Sequence, residues 1–171
     1  MSEVTEFRKV KDNFFKTSPQ SPLTPEQKKN FAGLPYFPEN PALRFELPLE
    51  RYANPERVLM QTNTGATQEY LKIGQVRFKV NGEDASLQVY ESTDNPGAYF
   101  TPFVDATAPA ESYGAGRYLE PEEQHAGELV VDFNFCYNPY CAYNDRWSCP
   151  FPPPENRLTV RIEAGEKKFH E

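Results

Sequence analysis

No stretch of about 18 consecutive apolar residues occurs in the chain, so no segment reads as a membrane-spanning helix. The opening Met-Ser-Glu-Val-Thr-Glu lacks a basic region followed by an apolar one, and a cytoplasmic protein with no membrane partner is expected. Positive charge is in deficit: 18 Lys+Arg against 25 Asp+Glu leave a net charge of −7. That balance repels a phosphate backbone and argues against nucleic acid as a partner. Histidine is scarce as well. Only His125, in an acidic stretch, and His170, near the end, could serve a Ser-His-Asp or Cys-His engine, and neither is well placed. Three cysteines are too few for a dense disulfide framework. The Gly-x-Ser-x-Gly elbow, the His-Glu-x-x-His helix, the Gly-Lys-Ser/Thr phosphate loop and the dinucleotide glycine fingerprint are all missing. No cofactor is implied, and no reaction class can be named.

What the chain does hold is proline and aromatic surface. Seventeen prolines against nine glycines interrupt it too often for long helices and favour short strands joined by ordered loops. Thirteen Phe, 10 Tyr and 1 Trp supply the apolar faces that a mean hydropathy of −0.74 would otherwise deny a core. A length of 171 residues fits one core, with residues 1–41 as a helical arm and Pro/aromatic linker packed on a β-rich body at 42–171. Within the arm, Val4, Phe7, Val10 and Phe14 recur every three or four residues between charges, which predicts an amphipathic helix over residues 3–15. Thr24, Pro25 and Gln27 read as N-cap, first-turn proline and capping-box partner of a short second helix ending near Gly33.

From Leu43 the period changes to two. Strands are expected at 43–49, placed at an edge by Pro48, and at 57–62, 68–73, 75–80, 83–90, 99–105, 116–119, 128–137 and 158–163. Asn81-Gly82 is the preferred two-residue hairpin turn. Pairing Val80 with Glu83 sets Phe78 opposite Ala85 and Val76 opposite Leu87, with Lys79 facing Asp84, so one register serves turn and pattern together. The fold class is therefore mainly β: an antiparallel sheet curled into a small barrel or sandwich, with the N-terminal amphipathic helix and a short second one.

Candidate chemistry concentrates late in the chain. Alternation through 129–136 puts Leu129, Val131, Phe133 and Phe135 on one face and Asp132, Asn134 and Cys136 on the other. The second face is either solvated or the wall of a polar pocket, in which Asp132 and Asn134 would meet Arg117 and Asp105 from other strands. Tyr113-Gly-Ala-Gly-Arg117 looks like a phosphate loop but reads as a turn entering a strand. Residues 137–156 form a long loop crowded with Tyr137, Tyr140, Tyr143, Trp147 and prolines, either an end cap of the sheet or a functional surface. Cys141 and Cys149 could bond, hold a metal with Cys136 and a carboxylate, or stay as buried thiols; their spacing matches no common zinc ribbon, and buried thiols suit a reducing compartment.

The runs Ser21-Pro-Leu, Phe31-Ala-Gly-Leu-Pro-Tyr-Phe-Pro, Phe100-Thr-Pro-Phe-Val-Asp-Ala-Thr, Tyr113-Gly-Ala-Gly-Arg-Tyr-Leu, Asp132-Phe-Asn, Tyr137-Asn-Pro-Tyr-Cys-Ala-Tyr, Cys149-Pro-Phe-Pro-Pro and Ala164-Gly-Glu-Lys together resemble an uncharacterised bacterial and archaeal family, domain of unknown function family 1684. The resemblance makes Asp105, Thr107, Tyr113, Gly114, Gly116, Arg117, Asp132, Asn134, Tyr137, Asn138, Cys141, Tyr143, Cys149 and Asn156 characteristic positions, but not Cys136. That departure weakens a three-cysteine metal site, and Ser112 and the 108–110 stretch also depart. A signature this polar implies a site. The leading expectation is a pocket for a small anionic or hydroxylated ligand, with Arg117 as anchor, Tyr113, Asn134, Tyr137, Asn138, Cys141, Tyr143 and Asn156 around the ligand, and Asp105 or Asp132 as the acid/base if there is catalysis. The alternative is a non-catalytic binding or interaction module built on loop 137–154, whose test is that Tyr140 and Trp147 face outward. Nothing in the sequence fixes the oligomeric state.

Overall fold

The computed structural model describes residues 2–170. Helix α1 spans Glu3–Thr17, with Ser2 accepting from the Thr5 amide at 3.1 Å as N-cap. The face it buries is not the apolar stripe that the sequence predicts. Phe7, Val10 and Phe14 are 41%, 67% and 37% exposed, while Val4 and Phe15 are buried. Between those two, on the same face, lie Arg8, Lys11 and Asp12. Arg8 sits 4.4 Å over the Tyr36 ring, Lys11 pairs with Glu166, and Asp12 accepts from the Leu34 amide at 3.1 Å. Specific charged partners therefore decide which face of α1 docks. Helix α2 (Pro25–Asn30) carries the complete Thr24/Gln27 capping box.

The body is mainly β and antiparallel, curved into a half-barrel. Seven strands follow: β1 (Arg44–Pro48), β2 (Glu50–Gln61), β3 (Thr67–Val80), β4 (Glu83–Ser92), β5 (Tyr99–Phe100), β6 (Glu122–His125) and β7 (Glu128–Asp132). They form one sheet in the order β2-β3-β4-β5 and another in the order β1-β7-β6, so Pro48 does lie on an edge strand. The β3-β4 hairpin has the expected register, Val80↔Glu83, Phe78↔Ala85 and Val76↔Leu87. Its turn residues Asn81 and Gly82 have φ of 50° and 83°, as a two-residue turn of this hand requires.

Elsewhere the strand expectations need correction. The segments 68–73 and 75–80 are one continuous β3, with a register shift between Lys72 and Gly74 in place of a break. The acidic stretch after Leu119 is not a loop but contains β6. Strand β7 stops at Asp132 because that side chain accepts the Asn134 amide at 3.0 Å and caps a 3-10 turn over Phe133–Phe135. The alternation therefore breaks: Asn134 and Cys136 are buried and Phe135 is half-buried. Residues 158–163 form no strand; they run parallel to 104–106, with the Leu158 amide donating to Val104 at 2.7 Å and the Ala106 amide to Val160 at 2.9 Å.

The main core lies between the sheets and centres on Phe133, whose ring meets Phe78 at 5.4 Å and Phe103 at 5.5 Å. A second cluster of Phe15, Leu23, Leu34 and Tyr143 fixes the arm to the body. The C-terminal segment crosses the end of the 3-10 turn at Gly165, φ 76°, where a Cβ would lie 2.6 Å from the Cys136 carbonyl oxygen and 2.8 Å from that of Phe133. Gly82 has a similar φ and nothing within 4 Å. Gly165→Ala is therefore expected to cost about 3 kcal/mol or more, against about 1 kcal/mol for Gly82→Ala. Urea unfolding of the two variants checks this, and equal losses would show that φ alone, not the close approach, sets the cost.

Candidate functional site

Arg117 and Asp105 are brought together, but inside the protein. Arg117 follows the Tyr113–Gly116 turn and pairs backbone to backbone with Phe103, each amide donating to the other's carbonyl at 2.9 Å. Its side chain is 1% exposed. Nη2 donates to Asp105 Oδ1 at 3.1 Å and to the Ile162 carbonyl at 2.9 Å. Nη1 donates to the carbonyls of Ala164 and, at 3.1 Å, Glu166. Asp105 in turn accepts the Ile162 amide at 2.7 Å, the Thr107 amide at 3.2 Å and the Thr107 hydroxyl at 2.8 Å. The pair is enclosed and used up in binding the C-terminal segment. The Tyr113–Arg117 stretch is a turn entering a paired segment, not an anion cradle.

The same segment presents Glu166, a residue the sequence reading passed over although it stands in the Ala164-Gly-Glu-Lys run. Buried in the seam between α1 and the body, it pairs with Lys11 and accepts the Tyr143 hydroxyl at 2.7 Å and the Asn138 amide at 3.3 Å. Burial and the Glu166 charge push the Tyr143 phenol well above its ordinary pKa, so it remains a donor. The Asn138 side chain donates to the Lys167 carbonyl at 2.9 Å.

Asp132 and Asn134 do not join Arg117 and Asp105. They bond to each other at 2.9 Å, Asn134 clamps Asn40 through its backbone amide at 2.8 Å and its carbonyl at 2.9 Å, and Arg44 lies 4.0 Å from Asp132. Asn156, fully buried, likewise bridges Gln88 and the Pro102 carbonyl. Both clamps hold irregular segments, and their side-chain amides satisfy backbone groups that no ladder bond reaches there.

A wider open concavity lies elsewhere, against loop 137–154. It is a cleft of about 930 Å³ between the β5 edge, residues 118–123 and that loop. One wall is a relay of rings: Tyr70 to Phe100 at 5.4 Å, Phe100 to Tyr118 at 4.8 Å, and Tyr118 to Tyr137 at 5.9 Å. Tyr140 and Trp147, 5.1 Å apart, face them. Trp147 is half-buried and Tyr140 is 37% exposed, so the rings are presented at the surface. Glu120, Glu122 and Glu123 line one side, and no Lys or Arg is among the described residues that line the cleft. Burial, and for Tyr70 and Tyr137 also the Glu120 carboxylate, raises the pKa of these phenols, leaving them as donors at neutral pH. The loop is held from two sides. The Asn144, Arg146 and Trp147 side chains donate to the Pro22 carbonyl, and Asn63 donates to the Trp147 carbonyl and accepts the Cys149 amide, both at 2.8 Å.

The cysteines divide. Cys136 is in the core, its thiol directed to the Ala164 carbonyl at 3.5 Å and pushed up to about 11 by burial. It therefore stands apart from Cys141 and Cys149, and no group of three or more His, Cys, Asp or Glu suited to a metal occurs among the described residues. Cys149 lines the cleft; its sulfur accepts the Cys141 amide at 3.4 Å, and Tyr113 touches the Cys141 sulfur at 3.7 Å. All three are free thiols.

Residues 29–167 match the model of the protein family described as a protein of unknown function, DUF1684. The chain belongs to this family. The DUF1684 match takes in the arginine hub, Glu166 and every wall of the cleft. A solution NMR structure of an uncharacterised protein from gene locus rrnAC0354 of Haloarcula marismortui has the same fold: 37% identity, 96% of this chain and 92% of that chain covered, and a TM-score of 0.74. No curated protein matches the chain.

Arg117→Met, which strands Asp105 and three buried carbonyls, is expected to destabilise this DUF1684 protein by about 3–5 kcal/mol. Arg117→Lys, which keeps the charge but not the planar fork, should lose somewhat less, about 2–3 kcal/mol. Denaturant midpoints measure both, and a loss below about 1 kcal/mol in Arg117→Met would remove the hub from the account of the fold.

Proposed function

We propose that this protein binds a small organic cation, an amine or quaternary ammonium with an apolar body, in the cleft against loop 137–154. The observation that carries the reading is the lining itself: a cavity of ligand size with aromatic walls, three glutamates and no basic side chain among its described residues. Aromatic faces attract cations through their quadrupole, most of all when partly desolvated, and Glu120, Glu122 and Glu123 add a negative field that the net charge of −7 reinforces. The Tyr137 ring already stacks with a cation away from the cleft, where the Lys11 ammonium lies 4.9 Å from its centroid and pairs with Glu166. An anionic ligand fits poorly, because Arg117, the anchor such a ligand would need, is enclosed and committed to Asp105 and three carbonyls. The reading is of a binding module; no acid/base pair is assigned to the cleft.

Trp147 is the single tryptophan of the chain and lines the cleft, so its fluorescence reports occupancy. Titration with benzyltrimethylammonium should give a saturable change, while benzoate, similar in ring but opposite in charge, should give none. Glu122→Gln, at an exposed rim position with no ion pair among the described residues, should weaken the cation several-fold, and added salt should do the same. Equal responses to benzoate and the cation, or none to either, would rule the reading out.

A further inference from the structure

The Cys141 and Cys149 pair is not explained by packing alone. A thiol that only fills space is buried without directed donors, as Cys136 is, and has its pKa raised. Cys149 differs in two respects. Though largely buried, it is one of the residues lining the cleft, and its sulfur accepts the Cys141 backbone amide at 3.4 Å. No carboxylate is hydrogen-bonded to either sulfur among the described residues, whereas the Tyr113 hydroxyl, 3.7 Å from Cys141, can donate to that sulfur as it loses its proton. A backbone amide directed at a sulfur stabilises its anion, and the directions of the two thiols agree with that: the neighbouring Cys141 thiol chiefly lowers Cys149, and Cys149 chiefly raises Cys141.

We infer that Cys141 and Cys149 are a reversible dithiol–disulfide pair, with Cys149 as the attacking sulfur and Cys141 as the resolving one, whose substrates are low-molecular-weight disulfides that enter the cleft. The Cys149 thiolate attacks one sulfur of the disulfide RSSR, forming a Cys149–SR bond and releasing RS⁻, which takes up a proton from solvent. Cys141 then gives up its proton and attacks the Cys149 sulfur, breaking the S–S bond of the mixed disulfide and releasing a second RS⁻, which is protonated in turn. Two electrons pass from the protein dithiol to RSSR, yielding the Cys141–Cys149 disulfide and two RSH. Tyr113 is a positioning residue for Cys141. The inference does not depend on the cleft's charge preference, because the attack needs only access to Cys149.

The test uses the reduced full-length protein and uncharged hydroxyethyl disulfide, followed by intact mass and peptide mapping under acid quench. In the wild type the expected product is the protein less two hydrogens, with the peptides of Cys141 and Cys149 linked and Cys136 still a thiol. Cys141→Ser should stop at a stable mixed disulfide on Cys149, and Cys149→Ser should be at least tenfold slower. Cys136→Ser, outside the pair, should match the wild type. The pH at which wild-type attack is half-maximal should fall below that of a free cysteine thiol, since a lowered pKa supplies thiolate at lower pH. The peptide map of the wild type decides even if a variant folds poorly. A stable adduct on wild-type Cys149 without closure, modification of Cys136 in its place, or equal rates with and without Cys149 would each overturn the inference. Repeating the reaction with cationic cystamine and with anionic dithiodiglycolate separates the two readings. Faster reaction of cystamine supports the cation cleft as well, whereas equal rates remove the charge preference and leave the dithiol pair standing.

Discussion

The side chain of Arg117 is the constraint on which the rest of the architecture depends. After β7 no further ladder strand occurs among the described residues, yet most of residues 158–166 are buried and their carbonyls must find donors. One guanidinium answers for Ile162, Ala164 and Glu166, while Asp105 neutralises it and takes the Ile162 amide. A buried ion pair is a weak net source of stability, because desolvation cancels most of its Coulomb energy. Its contribution is placement: a planar fork of fixed donors admits one path for the segment, and a ladder is not needed.

That placement determines how the arm docks. With the Glu166 backbone held by Arg117 and Gly165 turned tightly under Cys136, the Glu166 carboxylate points into the seam and selects Lys11 from α1. The helix then turns Val4 and Phe15 inward and leaves Phe7, Val10 and Phe14 largely exposed, with Phe7 edge-on to Phe135, although burial of apolar area alone favours the neighbouring stripe through those three. An uncompensated buried carboxylate costs more than a few exposed methylenes and rings, so the charged stripe wins.

What was legible in the sequence follows from how local each cause is. The β3-β4 hairpin was readable to the register because Asn81-Gly82 and the flanking alternation act over a few residues and agree. The capping box of α2 and the edge position of Pro48 were readable for the same reason. The orientation of α1 was not, since it depends on a glutamate 155 residues away along the chain. The break of β7 at Asp132 was hidden because a side chain that caps a turn and one that faces solvent look alike in an alternating pattern. Polar signature residues such as Asn134, Asn138 and Asn156 suggested a site, and they hold irregular segments of the chain in place through backbone groups of Asn40, Lys167, Pro102 and, for Asn156, Gln88 of β4. The cleft had no period to betray it: its walls come from four separate stretches, and only the crowding of aromatics in loop 137–154 pointed there.

Hub and cleft are nevertheless parts of one construction. Arg117 points its side chain inward, and the next residue, Tyr118, points its ring into the cleft, as alternation along an extended segment requires. Tyr118 is then paired through its backbone to Tyr137, whose hydroxyl donates to Glu120 at the rim and whose ring carries the Lys11 ammonium on its way to Glu166. The aromatic wall thus stands on the same buried network that fixes the C-terminal segment and the arm. A wall held this way loses little freedom when a ligand enters, and the ordering cost that weakens binding to mobile surfaces is largely met in folding. The extensive buried polar network is therefore best understood as the support of the cleft, since the same residues that fix the C-terminal segment and the arm also hold its aromatic wall.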